Sequence, residues 1–237
     1  MKTRIYPAVV SLVITSLISP TVIADDATTS AAKTSVNAEF VDPDSSAAAE
    51  VRRVGDNAIN RLANTMVNEL NVAMAKSSLE DAVDVTHLKN LPMTGDRLAV
   101  LPQIKAVKRT SLRLRNPANA PDAADQLALE RVEKALAANY DPPKVLVQRI
   151  DTPGAAPEWR VYRPLGAAPL CLKCHGDPAE QSVALRTKLN TAYPADQAIG
   201  FRLGEWRGLL RVTVDLAPPP APKPTLKPVA TPAAKKS

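Results

Sequence analysis

Residues 144–150, KVLVQRI, and 159–164, WRVYRP, are two short runs rich in apolar, β-branched and aromatic residues, joined through Asp151-Thr152-Pro153-Gly154. Runs of this length and composition suit a pleated, half-buried surface. The linker is turn chemistry, because proline presets one backbone angle and glycine tolerates the conformations that a tight reversal needs. Strand, turn and strand in succession predict an antiparallel pair. Working outward, Val107–Arg115 alternates, with Lys108, Thr110, Leu112 and Leu114 on one face and Val107, Arg109, Ser111, Arg113 and Arg115 on the other. Trp206–Leu216, with Val212, Thr213 and Val214, is a further strand, and Asp122–Asn139 shows helical spacing through Leu127, Leu129, Val132 and Leu136. Hairpin-like strands with inserted helices predict an α+β domain on an antiparallel sheet.

Upstream, apolar residues recur at Val51, Val54, Ala58/Ile59, Leu62, Met66, Leu70 and Met74, the stripe of one amphipathic helix over 47–76. Ser77-Ser78-Leu79-Glu80 has the form of a capping box, so a second helix is expected to run to about Lys89 and end before Pro92. On it Leu79, Val83 and His87 share a face. The folded part is therefore expected at 47–216, with long helices over 47–89 and the sheet part over 103–216. It contains no internal repeat, no glycine-rich phosphate loop, and neither a G-x-S-x-G nor an H-E-x-x-H motif.

The two ends differ from this body. Lys2 and Arg4 precede an uncharged stretch, Ile5–Ala24, with Pro20 near its end and small or apolar residues before Asp25. That is the layout of a secretory signal over 1–24, cleaved after Ala24. The alternative, an uncleaved anchor, is disfavoured because Pro7, Pro20 and the interspersed Ser and Thr shorten the apolar run. Export places the chain in an oxidising compartment, a bacterial periplasm, with no stable membrane span after cleavage. Residues 25–46, rich in Ala, Thr, Ser and Asp, are expected to be a flexible lead. Seven of the 22 prolines fall in the last twenty residues, so 217–237 is expected to be an extended, disordered tail. The net charge of +6 comes entirely from six lysines and arginines in these two ends, and the remaining chain holds 24 basic against 24 acidic residues. A body with no positive excess lacks the electrostatic footprint of a nucleic-acid binder.

Both cysteines and one of the two histidines fall in Cys171-Leu172-Lys173-Cys174-His175. This is the C-x-x-C-H attachment pattern of c-type haem. Thiols separated by two residues on a compact turn can each bond a vinyl group of one porphyrin, and the next imidazole is then carried under the iron as its proximal ligand. Three other readings compete. A thioredoxin-like dithiol would want a βαβ context, which the sequence near Pro169 does not suggest. Zinc would want four ligands, and only these two cysteines and two histidines exist. A disulfide between Cys171 and Cys174 would close too small a loop to stabilise much.

The runs Arg109-Thr-Ser-Leu-Arg-Leu-Arg115-Asn116-Pro117-Ala-Asn119-Ala-Pro121-Asp122, Cys171-Leu-Lys-Cys174-His175-Gly176-Asp-Pro178, Tyr193-Pro194-Ala-Asp196-Gln-Ala198-Ile-Gly200-Phe201 and Gly204-Glu-Trp-Arg-Gly208 resemble a family of single-haem c-type domains with a PAS-like fold. The likeness covers about residues 50–216. It implies a PAS-like antiparallel sheet with N-terminal helices, one covalent haem c held by Cys171 and Cys174, iron ligation by His175, and use as a periplasmic sensory input. It also implies a second axial ligand from the helix before the sheet, often a cysteine. Here Thr86 stands at that place and cannot substitute for a thiolate, while the adjacent His87 is the one imidazole left, so His87 is the candidate distal ligand. A histidine that merely caps a helix C-terminus would look the same in sequence, and Met66, Met74 and Met93 are rival ligands. Arg109 and Arg115, both inside the resembled run, are candidate partners for haem propionates, against the plainer reading that arginines coat a solvated strand face.

Two functions are open on this evidence. One is a redox or diatomic-gas sensor that reports to a periplasmic redox or signalling protein partner, and the other is a single-electron carrier. An enzymatic role, such as a peroxidase, would need an open iron site with distal acid and base groups, and ranks third. Asp196 reads only as a turn residue beside Tyr193 and Pro194.

Overall fold

A computed structural model describes residues 37–85, 91, 93–101 and 103–216. The expected signal, tail and most of the expected lead lie outside the described residues, as do Thr86 and His87. Six strands, β1 (Asn37–Val41), β2 (Met93–Thr94), β3 (Ile104–Thr110), β4 (Leu146–Asp151), β5 (Glu158–Gly166) and β6 (Trp206–Val214), form one sheet. Their order is β1-β4-β5-β6-β3-β2, and every neighbouring pair is antiparallel. The last strand thus lies at the centre, between the β4–β5 hairpin and the β2–β3 pair. This is the α+β, PAS-like open sheet that the motifs imply. Among the described residues, no helix is long and apolar enough to cross a membrane.

Alternation along the strands sends apolar side chains to both faces. Val107, Val147, Val161, Leu210, Val212 and Val214 face helix α1 (Ala49–Lys76), which covers them with Val51, Val54, Ala58, Ile59 and Leu62. The helix lies close because Gly55 brings no side chain there: a Cβ at that position would stand 2.4 Å from Val161 Cγ2. Arg163 secures the contact, donating to Asp56 (2.8 Å) and Asn60 (2.6 Å). No residue of α1 beyond Leu62 is buried. Met66 still packs against this core, and beyond it the helix overhangs the sheet, a run of about 15 Å at the α-helical rise.

The opposite face is covered by α3 (Ala123–Ala137), where Ala128, Leu129 and Val132 pack on Leu146, Tyr162 and Leu209. A capping box between Asp122 and Asp125 starts this helix. Asp125, fully buried, accepts from Lys108 Nζ (2.8 Å), Arg160 Nη1 (3.1 Å) and Arg211 Nη1 (3.3 Å). The Tyr162 hydroxyl lies 3.2 Å from Asp125 Oδ1 and 2.9 Å from Gln148 Oε1. Burial, and then the Asp125 charge, hold that phenol well above its ordinary pKa.

Three expectations are corrected. The lead over 25–46 is not wholly irregular, because Asn37–Val41 pairs with β4 from Asn37↔Asp151 to Val41↔Val147. An edge strand draws its order from its neighbour's backbone groups, so its composition need not look strand-like. Phe40 adds an anchor against the α3 cluster. The second helix starts on Ser78, with Asp81 completing the capping box, and α2 spans only Leu79–Ala82. The strand expected over 107–115 ends at Thr110, because the Ser111 hydroxyl donates to the Arg207 carbonyl (2.7 Å) and accepts from the Arg113 amide (3.1 Å), turning the chain away.

Replacing Asp125 by Asn leaves Lys108, Arg160 and Arg211 short of their shared buried anion. Unfolding in denaturant is expected to show a loss of about 3–5 kcal/mol, as for other buried pairs broken on one side.

Candidate functional site

Helix α4 (Pro169–His175) carries the C-x-x-C-H segment. Pro169 at its first position has no amide proton to leave unpaired, and Gly176 ends it. Within this single two-turn helix Cys171, Cys174 and His175 lie three and four residues apart and so share a face. All three line a cleft whose empty volume, counting its open mouth, is about 760 Å³. Leu70 on the overhanging end of α1, together with Ala82 and Val83 at the end of α2, forms one apolar wall. Leu189 and Tyr193 contribute from α5 (Val183–Ala192) and its C-cap. The thiols of Cys171 and Cys174 are free and half-buried. Burial outweighs the nearby Arg115 and Arg207 charges and raises the Cys174 pKa.

His175 is buried, and its ring is fixed by one strong contact. Nδ1 lies 2.7 Å from the Ala198 carbonyl. A carbonyl can only accept, so Nδ1 carries the proton and Nε2 presents its lone pair to the cleft. Arg207 Nη2 donates to that lone pair at 2.9 Å, and Arg115 Nη1 lies 3.4 Å away. Burial first, then the charges of Arg207, Arg115 and Arg109, push the imidazole well below its ordinary pKa, so the ring is neutral at physiological pH.

The three arginines differ in how their charge is met. Arg115 donates to Asp196 Oδ2 (2.8 Å) and to the Cys174 carbonyl (2.5 Å). Arg109 and Arg207 have no carboxylate within ion-pair distance among the described residues. Burial, then the Arg207 and Arg115 charges, pull Arg109 down to about 10. Burial likewise lowers Arg207, whose Nε is buried without a hydrogen-bond partner. The cleft thus holds two partly buried cations without acids, beside a neutral imidazole and two thiols.

A profile of the Tll0287-like family matches residues 18–215. The chain belongs to the Tll0287-like family. This bears out the resemblance read from the motif order. Among solved structures, this Tll0287-like chain is similar to the cyanobacterial heme-protein Tll0287, with 22% identity over 71% of this chain and 96% of that one and a TM-score of 0.48. No curated relative matches it.

The Tll0287-like fold brings Cys171, Cys174, His175, Arg109 and Arg115 together at one cleft. Arg109 and Arg115 do not share a strand face, since β3 ends between them, yet the turn at Ser111 returns Arg115 to the same opening. Arg113, expected beside them, instead braces the loop after α5: it pairs with Glu205 (3.2 Å), donates to the Ile199 carbonyl and lies 4.0 Å over the Phe201 ring. Met93 is buried in the core on the α1 side of the sheet, Met66 packs against that core, and Met74 does not line the cleft.

Sequence reasoning missed Arg207. Its only signal was its place in the Gly204–Gly208 run, next to a glycine of unusual demand. Gly208 has φ +133°, and a Cβ there would stand 2.4 Å from the Thr110 carbonyl oxygen. Glycine lets the start of β6 press against the end of β3, which sets Arg207 beside Arg109. Gly208→Ala is therefore expected to lower stability by about 1–3 kcal/mol or more, from strain and a backbone clash together, read as a lower denaturation midpoint at unchanged m-value.

Proposed function

We propose that this chain is an exported haem protein that holds one covalent haem c in the cleft and senses redox state or a diatomic gas for a periplasmic partner. The observation that carries this reading is the convergence on one cleft of the C-x-x-C-H helix, a neutral imidazole with its Nε2 lone pair turned inward, and two guanidiniums without acids. Each part fits a requirement of that group. Cys171 and Cys174 would form the thioether links, and His175 Nε2 would ligate the iron. Arg109 and Arg207, with Arg115, would hold the two propionates, whose paired negative charges match the two cations that lack carboxylates. Haem supplies one-electron exchange and the capacity to bind small gases.

The chain's own residues do the rest. Ala198 fixes the tautomer of His175 and leaves Nε2 unprotonated, as outer-shell partners of metal-binding imidazoles do, and Arg207, which donates to that lone pair here, would turn to a propionate when iron takes it. Leu70, Ala82, Val83 and Leu189 keep water from much of the cleft and lower its dielectric. His87 lies four residues beyond Val83 in the sequence and is the proposed distal ligand. A second reading, a periplasmic single-electron carrier, is favoured by the partial exposure of both cysteines, which would leave the attached edge of the group near a partner's surface.

Intact mass of the protein recovered from the periplasm is expected to equal residues 25–237 plus one haem. The double replacement of Cys171 and Cys174 by Ala is expected to lose that increment and the pyridine haemochrome signal. A full-length mass without haem would overturn the reading. In haem-loaded protein, His87→Ala is expected to convert a low-spin spectrum to high-spin and open the iron to CO. CO binding by the unaltered protein favours gas sensing, and refusal of CO favours redox sensing or electron carrying.

A further inference from the structure

Asp196, in the loop between α5 and β6, makes contacts that go beyond its own turn. Its Oδ1 accepts from the Ala198 amide (2.8 Å), and its Oδ2 accepts from Arg115 Nε (2.8 Å). Ala198 is the residue whose carbonyl receives the His175 Nδ1 proton, and Arg115 is the residue whose Nη2 grips the Cys174 carbonyl at the end of α4 and reaches the Ala198 carbonyl at 3.4 Å. One carboxylate therefore ties the acceptor of the ring's proton to the helix that carries the ring. The Asp196 and Arg115 side chains are only 7% and 9% exposed, so solvent does little to weaken the pair. Backbone bonds from Gly200 to Gly176, Phe201 to His175 and Gly204 to Ala167 also hold this loop to α4 and its flank, and Ala198 packs in an apolar cluster with Ala167, Phe201 and Leu172; these apolar contacts carry no direction, so the aim of the Ala198 carbonyl falls to the polar bonds of Asp196 and Arg115.

We propose that Asp196 is the positioning residue of the His175 imidazole, fixing its tautomer and ring plane and, through them, the basicity that Nε2 offers to iron. The link to iron rests on the haem reading above, whereas the link to the ring does not. A hydrogen bond from the far nitrogen of a ligating imidazole raises its donor strength, and a nearby buried negative charge favours the more positive ferric state. Loss of Asp196 therefore raises the midpoint potential.

Three variants of the full chain separate the roles. Asp196→Asn keeps an acceptor for the Ala198 amide but removes the charge, and Asp196→Ala removes both. Glu205→Gln removes the same charge from the same loop, where Glu205 pairs with Arg113 and accepts from the Arg202 amide. The first readout is exchange of the His175 Nδ1 proton in ¹⁵N-labelled protein, kept reduced where haem is present. The expected result is exchange faster by roughly tenfold or more in Asp196→Ala, an intermediate rate in Asp196→Asn, and the unaltered rate in Glu205→Gln. The second readout is the midpoint potential, expected to rise in both Asp196 variants and stay in place in Glu205→Gln. Unchanged ring exchange in Asp196→Ala, or equal potential shifts in all three variants, would overturn the assignment. If Asp196→Ala does not fold, the comparison of Asp196→Asn with Glu205→Gln decides: faster exchange supports the role and equal exchange overturns it. A chain that carries no haem overturns the proposed function, while the ring exchange still decides the role of Asp196.

Discussion

A guanidinium does not shed its charge, so a partly buried arginine must be met by an anion or keep its electrostatic cost. The two faces of this sheet answer that demand differently. On the α3 side, Lys108, Arg160 and Arg211 converge on Asp125, and Asp122 helps, so the chain supplies its own counter-charge even though Arg211 Nε is buried without a hydrogen-bond partner. At the cleft, Arg115 has Asp196, but among the described residues Arg109 and Arg207 have no carboxylate within ion-pair distance and lie beside a neutral ring, thiols, the Phe201 ring and one another. The first cluster is a closed structural device. On the proposed haem reading, two propionates entering the second would stabilise it, which would link folding to ligand retention at this place.

The rest of the architecture keeps that second arrangement in register. The central position of β6 allows one strand to touch both β3 and β5, and the missing side chain at Gly208 brings the strand ends within reach. The loop after α5 then closes over α4 through Gly200 on Gly176 and Phe201 on His175, backbone to backbone. The imidazole is thus located by the sheet from one side and by this loop from the other. A seven-residue helix such as α4 has little stability of its own and depends on that bracing.

Much of this was legible in residue order, and the exceptions have physical reasons. The β4–β5 hairpin, β6 and α3 announced themselves because strand composition, turn chemistry and helical spacing are local signals. The C-x-x-C-H segment was legible because its chemistry is contiguous. Arg207 and Asp196 were not, because their roles are made by pairing across the sheet and by a loop that meets residues about 80 positions away in sequence. The β1 strand escaped for a related reason, since its order comes from β4. The early end of β3 turns on one hydroxyl, Ser111, bonded to a carbonyl 96 residues distant. Pattern reading sees what a segment prefers, and these are features that only its neighbours decide.

Helix α1 packs on the core as far as Met66 and runs on to Lys76, with Leu70 touching the cleft about 6 Å beyond that contact and the tip about 15 Å beyond it. That makes it a lever with its fulcrum at Met66. A small outward push on Leu70 reappears at Lys76 more than doubled, so the far end of this rod is where a neighbour would most easily feel what occupies the opening below.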